Sequence, residues 1–315
     1  VREERHHPAP GRLWTGSVHD GARAERGTYN LRSVSTTSAP PTLQDVTDAF
    51  EELYPSAWAA SWDAVGLVAG DPDQAVRRIL FAVDPVAEVV DEAVEWGAQL
   101  IVTHHPLLLR GVTSVAATTP KGRLVHRLIR EGVALYTAHT NADTADPGVS
   151  DALAAAVGLA GPLVPLDPDP SDPAGRRGIG RIGRLPEPMP LAEFAAQAAA
   201  GLPGTAGGVR VAGDPEREVR TVAVSGGAGD SLLDAARAAG VDAYLTSDLR
   251  HHPASEFTQD GGPALLDVAH WAGEWPWLAD GAERLAGALG SRGATVETRV
   301  STTVTDAWSQ AFRGD

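Results

Sequence analysis

Three short stretches of this chain carry side chains able to hold a cation or move a proton. Thr103-His104-His105-Pro106 follows the apolar run Leu100-Ile101-Val102. His139-Thr140-Asn141-Ala142-Asp143 follows a second run, Val133 to Thr137. His270-Trp271-Ala272-Gly273-Glu274 follows a third, Leu265 to Val268. Sites in open α/β sheets form beyond the carboxyl ends of strands, and each stretch stands where such an end is expected. The chain has no cysteine, so a metal ion here takes imidazole nitrogen and carboxylate oxygen. That donor set suits zinc, manganese or iron(II). Neighbouring side chains on extended backbone diverge, so His104 and His105 can serve two ions, or one ion and a substrate. Pro106 biases His105 toward the extended form. If 270–274 is a helical turn, His270 and Glu274 share a face and reach one ion. Each stretch also has an ordinary reading: a histidine pair in a surface loop, turn-forming Asn and Asp, or a solvated glutamate. Taken together, three histidines (104, 105, 270) and two carboxylates (Asp143, Glu274) can supply a dinuclear site. Water and a bridging carboxylate would fill its open positions, and open positions mark a reactive rather than structural centre.

Other candidates carry weaker signals. In Ser225-Gly226-Gly227-Ala228-Gly229, the backbone N–H groups of Gly226, Gly227 and Gly229 could cradle a phosphate at a helix N-terminus. The stretch lacks the Lys-Ser/Thr of a P-loop and is not GxGxxG, so a plain strand-to-helix turn explains it too. Asp248 and His252 follow another strand-like run and could exchange protons with a substrate, or be loop residues. His126 falls within an amphipathic helical pattern and reads as structural. The eight tryptophans read as core or interface residues.

The elements that must position these groups can be traced along the chain. Residues 1–42 are polar and aperiodic, too poor in apolar surface to offset their ordering entropy. They read as a disordered extension, with Val34 one candidate for the true start, and His6 and His7 fall inside it. Thr42 is a plausible N-cap for a helix carrying Leu43, Val46, Phe50 and Leu53. Ile79–Val83 reads as a strand, and Val86–Trp96 as a helix ended by Gly97. Thr119-Pro120 opens a helix with Leu124, Val125, Leu128 and Ile129 as its buried stripe. The Asp- and Pro-rich stretch 165–177 is the best linker candidate. Beyond it come helices over 190–200, 231–239 and 277–289, with strands near 221–224, 243–246 and 295–300. Alternating strand and helix argues for an α/β protein with mainly parallel sheets covered by helices and the metal site at strand C-terminal ends. At 315 residues two domains are expected. The net charge of −15 opposes direct DNA binding. No apolar run approaches the ~20 residues of a membrane span, and the first residues lack a secretory core, so the cytoplasm is the expected location.

Together these stretches resemble the GTP cyclohydrolase I type 2 homologue family, the YbgI-like dinuclear metal proteins. The likeness runs from about Leu43 to Trp308 and rests on Trp62-Asp63 to Gly70, Leu100 to Leu108, Lys121 to Asp143, Val222 to Asp248, and Leu266 to Glu274. It implies two divalent metal ions per subunit (zinc, iron or manganese), held by His104, His105, Asp143, His270 and Glu274. His139 would be a further ligand or stand beside the site. It also implies a homohexamer built as a trimer of dimers. Residues 43–174 with 260–315 would form the metal-binding α/β domain and 175–259 the second. The family's Trp-Asp-Asn-Val-Gly has Ala64 in place of Asn here, and the space between Gly161 and Val222 is too short for the inserted domain of longer relatives. The expected activity is metal-dependent hydrolysis, with GTP or a related nucleotide as substrate. His139, His252 and Asp248 would move protons and the Gly226–Gly229 turn would hold phosphates. The rival is a non-enzymatic metal-handling or regulatory protein that stores or delivers iron or zinc.

Overall fold

Eleven strands alternate with helices. They are β1 (Gly66–Ala69), β2 (Arg78–Ala82), β3 (Leu100–Thr103), β4 (Ala134–Thr137), β5 (Ala160–Pro168) and β6 (Gly178–Pro190). Then follow β7 (Arg210–Ala212), β8 (Glu218–Ala228), β9 (Ala243–Ser247), β10 (Ala264–Val268) and β11 (Glu297–Val300). The computed structural model describes residues 39–259 and 261–312, and all counts here refer to these residues.

The strands form two sheets. The first has the order β1-β4-β3-β2-β11 and is parallel except for β1. Its inner strands β3 and β4 are buried at every position, as strands covered on both faces must be. One face packs on the helices Leu43–Leu53 and Trp277–Ser291, where Phe50 stacks on Tyr136 at 4.6 Å and Tyr54 meets Trp277 edge-on at 5.7 Å. The other face packs on the helices Ala87–Trp96 and Pro120–Glu131. The second sheet, β5-β6-β8-β9-β10-β7, is mixed: only β8-β9 and β9-β10 are parallel. Both sheets belong to one compact unit, an α/β architecture of two sheets covered by helices.

Local signals set the element ends. Thr42 forms a full capping box with Asp45, Gly97 ends its helix in the left-handed conformation at φ 74, and Thr119 caps the helix opened by Pro120. Elsewhere the structure departs from expectation. The stretch 165–177 is not a linker: its first four residues end β5 and the rest is the turn of the β5–β6 hairpin, with Asp167 opposite Ile179. The second sheet accordingly takes in β5 and β10, which lie outside 175–259. Ile129 is 67% exposed and lies off the buried stripe, which is Gly122, Val125 and Leu128. The folded part takes in Pro41, which is buried and whose carbonyl accepts from the Val76 N–H. The expected extension and His6 and His7 otherwise lie outside the described residues. Among the described residues no helix is long and apolar enough to cross a membrane.

Register places the functional groups. Ala82, Thr103 and Thr137 stand side by side at the carboxyl ends of β2, β3 and β4. Asp84, His104, His105 and His139 therefore leave neighbouring strands at one level. In the second sheet Val268 pairs with Ser247, so Asp248 and His270 leave β9 and β10 together.

Candidate metal centre

The three histidine stretches converge. His104 Nε2 lies 3.7 Å from Asp143 Oδ1 and 3.5 Å from Glu274 Oε1. His105 Nε2 is 3.0 Å from Glu274 Oε2 and 3.2 Å from His270 Nε2, which is 3.0 Å from Glu274 Oε1. The His139 ring stands 5.1 Å from that of His104 and 5.6 Å from that of His105, centroid to centroid. The potential donor atoms form two overlapping groups, His104–His105–His139 and His105–His270–Glu274. As their spacing predicts, His270 and Glu274 share one face of the helix His270–Glu274. Asp143 comes from the short helix Thr140–Thr144, which follows β4.

Each imidazole is aimed by a partner at its far nitrogen. His104 Nδ1 is 2.9 Å from the Ala138 carbonyl, His105 Nδ1 2.7 Å from Asp84, His139 Nδ1 2.8 Å from Asp63, and His270 Nδ1 2.7 Å from Asp248. A carbonyl only accepts, so His104 Nδ1 carries the proton and donates. In the neutral ring its Nε2 is then a bare lone pair. Carboxylates fix the other three rings in the same way, the usual support of metal-ligating histidines. The supports are themselves held. Asp63 accepts from the Thr140 N–H at 3.0 Å and from its hydroxyl at 2.5 Å, and Asp84 accepts from the Thr305 hydroxyl.

Two observations test whether a cation fits. His104 Nε2 and Glu274 Oε2 are buried without a hydrogen-bond partner; the 3.0 Å approach of Oε2 to His105 Nε2 is close without being a hydrogen bond. Orphaned buried polar atoms are costly, and a cation facing both would remove that cost. Two ligands about 2.0–2.1 Å from one tetrahedral ion stand about 3.3 Å apart. The 3.0–3.2 Å separations among His105, His270 and Glu274 are of that size. The residues fit a metal.

Without a cation the cluster holds protons. Burial works against charge on His105, yet Glu274 and Asp84 outweigh it and push the imidazole up to about 11. His270, opposed by burial and favoured by Glu274 and Asp248, rises to about 9. Burial alone would raise Glu274, but His105, His104 and His270 hold it well below the usual carboxylate range. Burial drives Asp143 up, outweighing the pull of His104.

The other expected residues are placed differently. Asp248 is tied to His270 Nδ1 and orients that ring. His252 is exposed on the helix His251–Gln259, against His251, apart from the convergent groups. The glycine stretch forms no phosphate cradle at a helix end. It continues β8, the helix that follows the adjoining 3-10 turn has six residues, the Gly226 N–H donates to Ser150 and the Gly229 N–H to the Ser247 carbonyl. These glycines instead allow close approach. A Cβ on Gly227 (φ 69) would lie 2.6 Å from Glu274 Oε1 and 3.3 Å from His270 Nε2. The sequence reading gave no role to Asp63 or Asp84. Asp84 was findable: Val83-Asp84-Pro85 follows an apolar strand just as His104 does.

The comparisons with known proteins point one way. Residues 41–307 match the family described as Duf34/NIF3 (NGG1p interacting factor 3). A Streptomyces coelicolor protein named GTP cyclohydrolase 1 type 2 homolog is 61% identical over 271 residues, covering 85% of this chain and 94% of its own. A Mycobacterium bovis protein of the same name is 41% identical, with 85% and 96% covered. That alignment spans 370 positions, more than this chain possesses, so the relative carries residues this chain lacks. Among solved structures, a Bacillus cereus protein related to NIF3 superposes with a TM-score of 0.78 at 25% identity, covering 86% of this chain and 99% of that one.

Proposed function

This chain belongs to the Duf34/NIF3 family, and from that premise we propose that it holds two divalent metal ions and acts as a metal-dependent hydrolase. The carrying observation is the set of four imidazoles fixed at Nδ1, of which His104, His105 and His270 turn Nε2 toward Asp143 or Glu274 while His139 groups with His104 and His105. His104, His105, Asp143, His270 and Glu274 would be the ligands, with His139 completing the group around His104. The nitrogen and oxygen donors suit zinc, iron or manganese.

Bound divalent ions would lower the pKa of water toward about 7 and supply hydroxide. The chain's own groups prepare the place. Glu274 remains a carboxylate among three imidazoles, while Asp84, Asp63 and Asp248 hold protons at Nδ1 and keep Nε2 bare. His139 lines the adjoining cavity with Asp143 and Glu274, which supports a proton-carrying role for it toward a molecule bound there. The relatives' name points to hydrolytic opening of a purine ring, in which water adds across a ring C–N bond. For this chain that reaction, the hexamer, a division into two domains and a cytoplasmic location are parts of the proposal.

Elemental analysis of untagged protein should find about two ions per chain, and Asp143→Ala and Glu274→Ala should each lower that content sharply with the fold kept. Unchanged content in both variants refutes the ligand assignment. A turnover screen with GTP and related nucleotides then separates hydrolase from carrier, because a carrier would pass its ions to a chelator or partner with no product formed.

A further inference from the structure

The cavity beside the centre has an unusual lining for a nucleotide site. It encloses about 700 Å³ and is bordered by Asp143 and Glu274, a size normal for small-molecule binding. Two tryptophans, Trp58 and Trp62, form part of its wall, and Asp167 and Asp169 of the β5–β6 hairpin form another part. Trp62 is 60% exposed, and its ring meets His139 edge-on at 6.0 Å. Among the described residues no lysine or arginine lines this cavity. The nearby Arg177 stacks on Trp58 at 4.3 Å and is paired with Asp169. Lys121 and Arg123 line a separate recess with Asp84 and His105 that shares no residue with this one. Arg210 lines a third cavity and is bridged to Asp267.

Ring chemistry at the centre requires the ring, not the phosphates, to face His139 and Asp143. A triphosphate on that ring would then meet the Asp167 carboxylate, and the nearby Arg177 is already engaged by Asp169. We infer that the cavity takes a purine-class heterocycle without net negative charge, a nucleobase or nucleoside rather than a nucleoside triphosphate, stacked on Trp62. This rests on the ring-hydrolysis reading and narrows its substrate. An exposed tryptophan suits the role, because every base has a π-face to lay on it.

Guanosine and GTP share one ring and differ in charge, so they form the test. Binding of each to the protein as purified is measured by calorimetry at low salt, with no turnover needed. Guanosine should bind at least about tenfold more tightly than GTP. Trp62→Ala should weaken guanosine about tenfold with metal content unchanged, and Asp167→Lys should narrow the gap by strengthening GTP alone. Tighter or equal binding of GTP, no binding of guanosine, or indifference of guanosine to Trp62→Ala each overturns the inference. Wild-type protein that retains no metal would instead defeat the hydrolase reading, so the two failures are distinguishable.

Discussion

Gly227→Ala tests the centre through a residue that donates nothing to it. The added Cβ would stand 2.6 Å from Glu274 Oε1, where ordinary contact begins at 3.4 Å. Glu274 must therefore retreat by about 0.8 Å, several times the ~0.2 Å tolerance of a ligand distance. Disturbing a metal ligand's support typically costs 10–100-fold in affinity, and a displacement of this size should cost about as much. The backbone adds its own effect, because φ 69 is left-handed and a non-glycine residue there costs about 1–2 kcal/mol. Gly240→Ala separates the two contributions. Gly240 has φ 64 with nothing near its would-be Cβ, so that variant should lose comparable stability and no metal affinity. The assay is competition with a graded chelator alongside thermal melting for both variants. If Gly227→Ala melts lower yet binds metal as tightly as wild type, the placement of Glu274 as a ligand is wrong.

Three further outcomes are expected. Asp84→Asn should weaken metal binding about 10–100-fold without unfolding the protein, read by the same competition; full retention would show that the support of His105 is dispensable. Metal affinity should climb as pH rises through about 9, because ions must displace protons that Glu274 and its neighbours hold on His270 and, more tightly, on His105; a flat profile from pH 6 to 9 contradicts that competition and with it the assignment of these two imidazoles as ligands. Trp277→Ala should cost about 3–5 kcal/mol in denaturant melts, since Trp277 is fully buried against Tyr54 and His104.

The site was more legible in the sequence than the second sheet. His104, His139 and His270 each follow a short apolar run, and the i, i+4 spacing of His270 and Glu274 is a purely local signal. Asp63 carried no such mark, and Asp84, although it follows an apolar run, is of a residue type common in turns. An aspartate after a strand looks like any turn residue until the alignment of Ala82, Thr103 and Thr137 brings it beside an imidazole. The β5–β6 hairpin was hidden for a different reason. Pro165, Asp167, Pro168 and Asp169 read as loop by composition, and β6 itself contains Pro186, Pro188 and Pro190. Long-range pairing overrides local preference there. Pro186 and Pro188 fall where the β6–β8 register shifts, between Arg184 and Met189, and Pro190 is the last residue of β6, places that do not require an unbroken row of N–H donors.

The convergent groups come from both halves of the architecture: His104, His105 and Asp143 follow strands of one sheet, and His270 and Glu274 follow a strand of the other. An ion there would act as a rivet between two slabs that are also joined by packing and by buried Arg181, which donates from β6 to the Ala145 carbonyl. Its grip belongs only to the folded chain, so loading should raise the melting temperature in proportion to the logarithm of free metal. Stripping it should first let one slab shift against the other, before either comes apart.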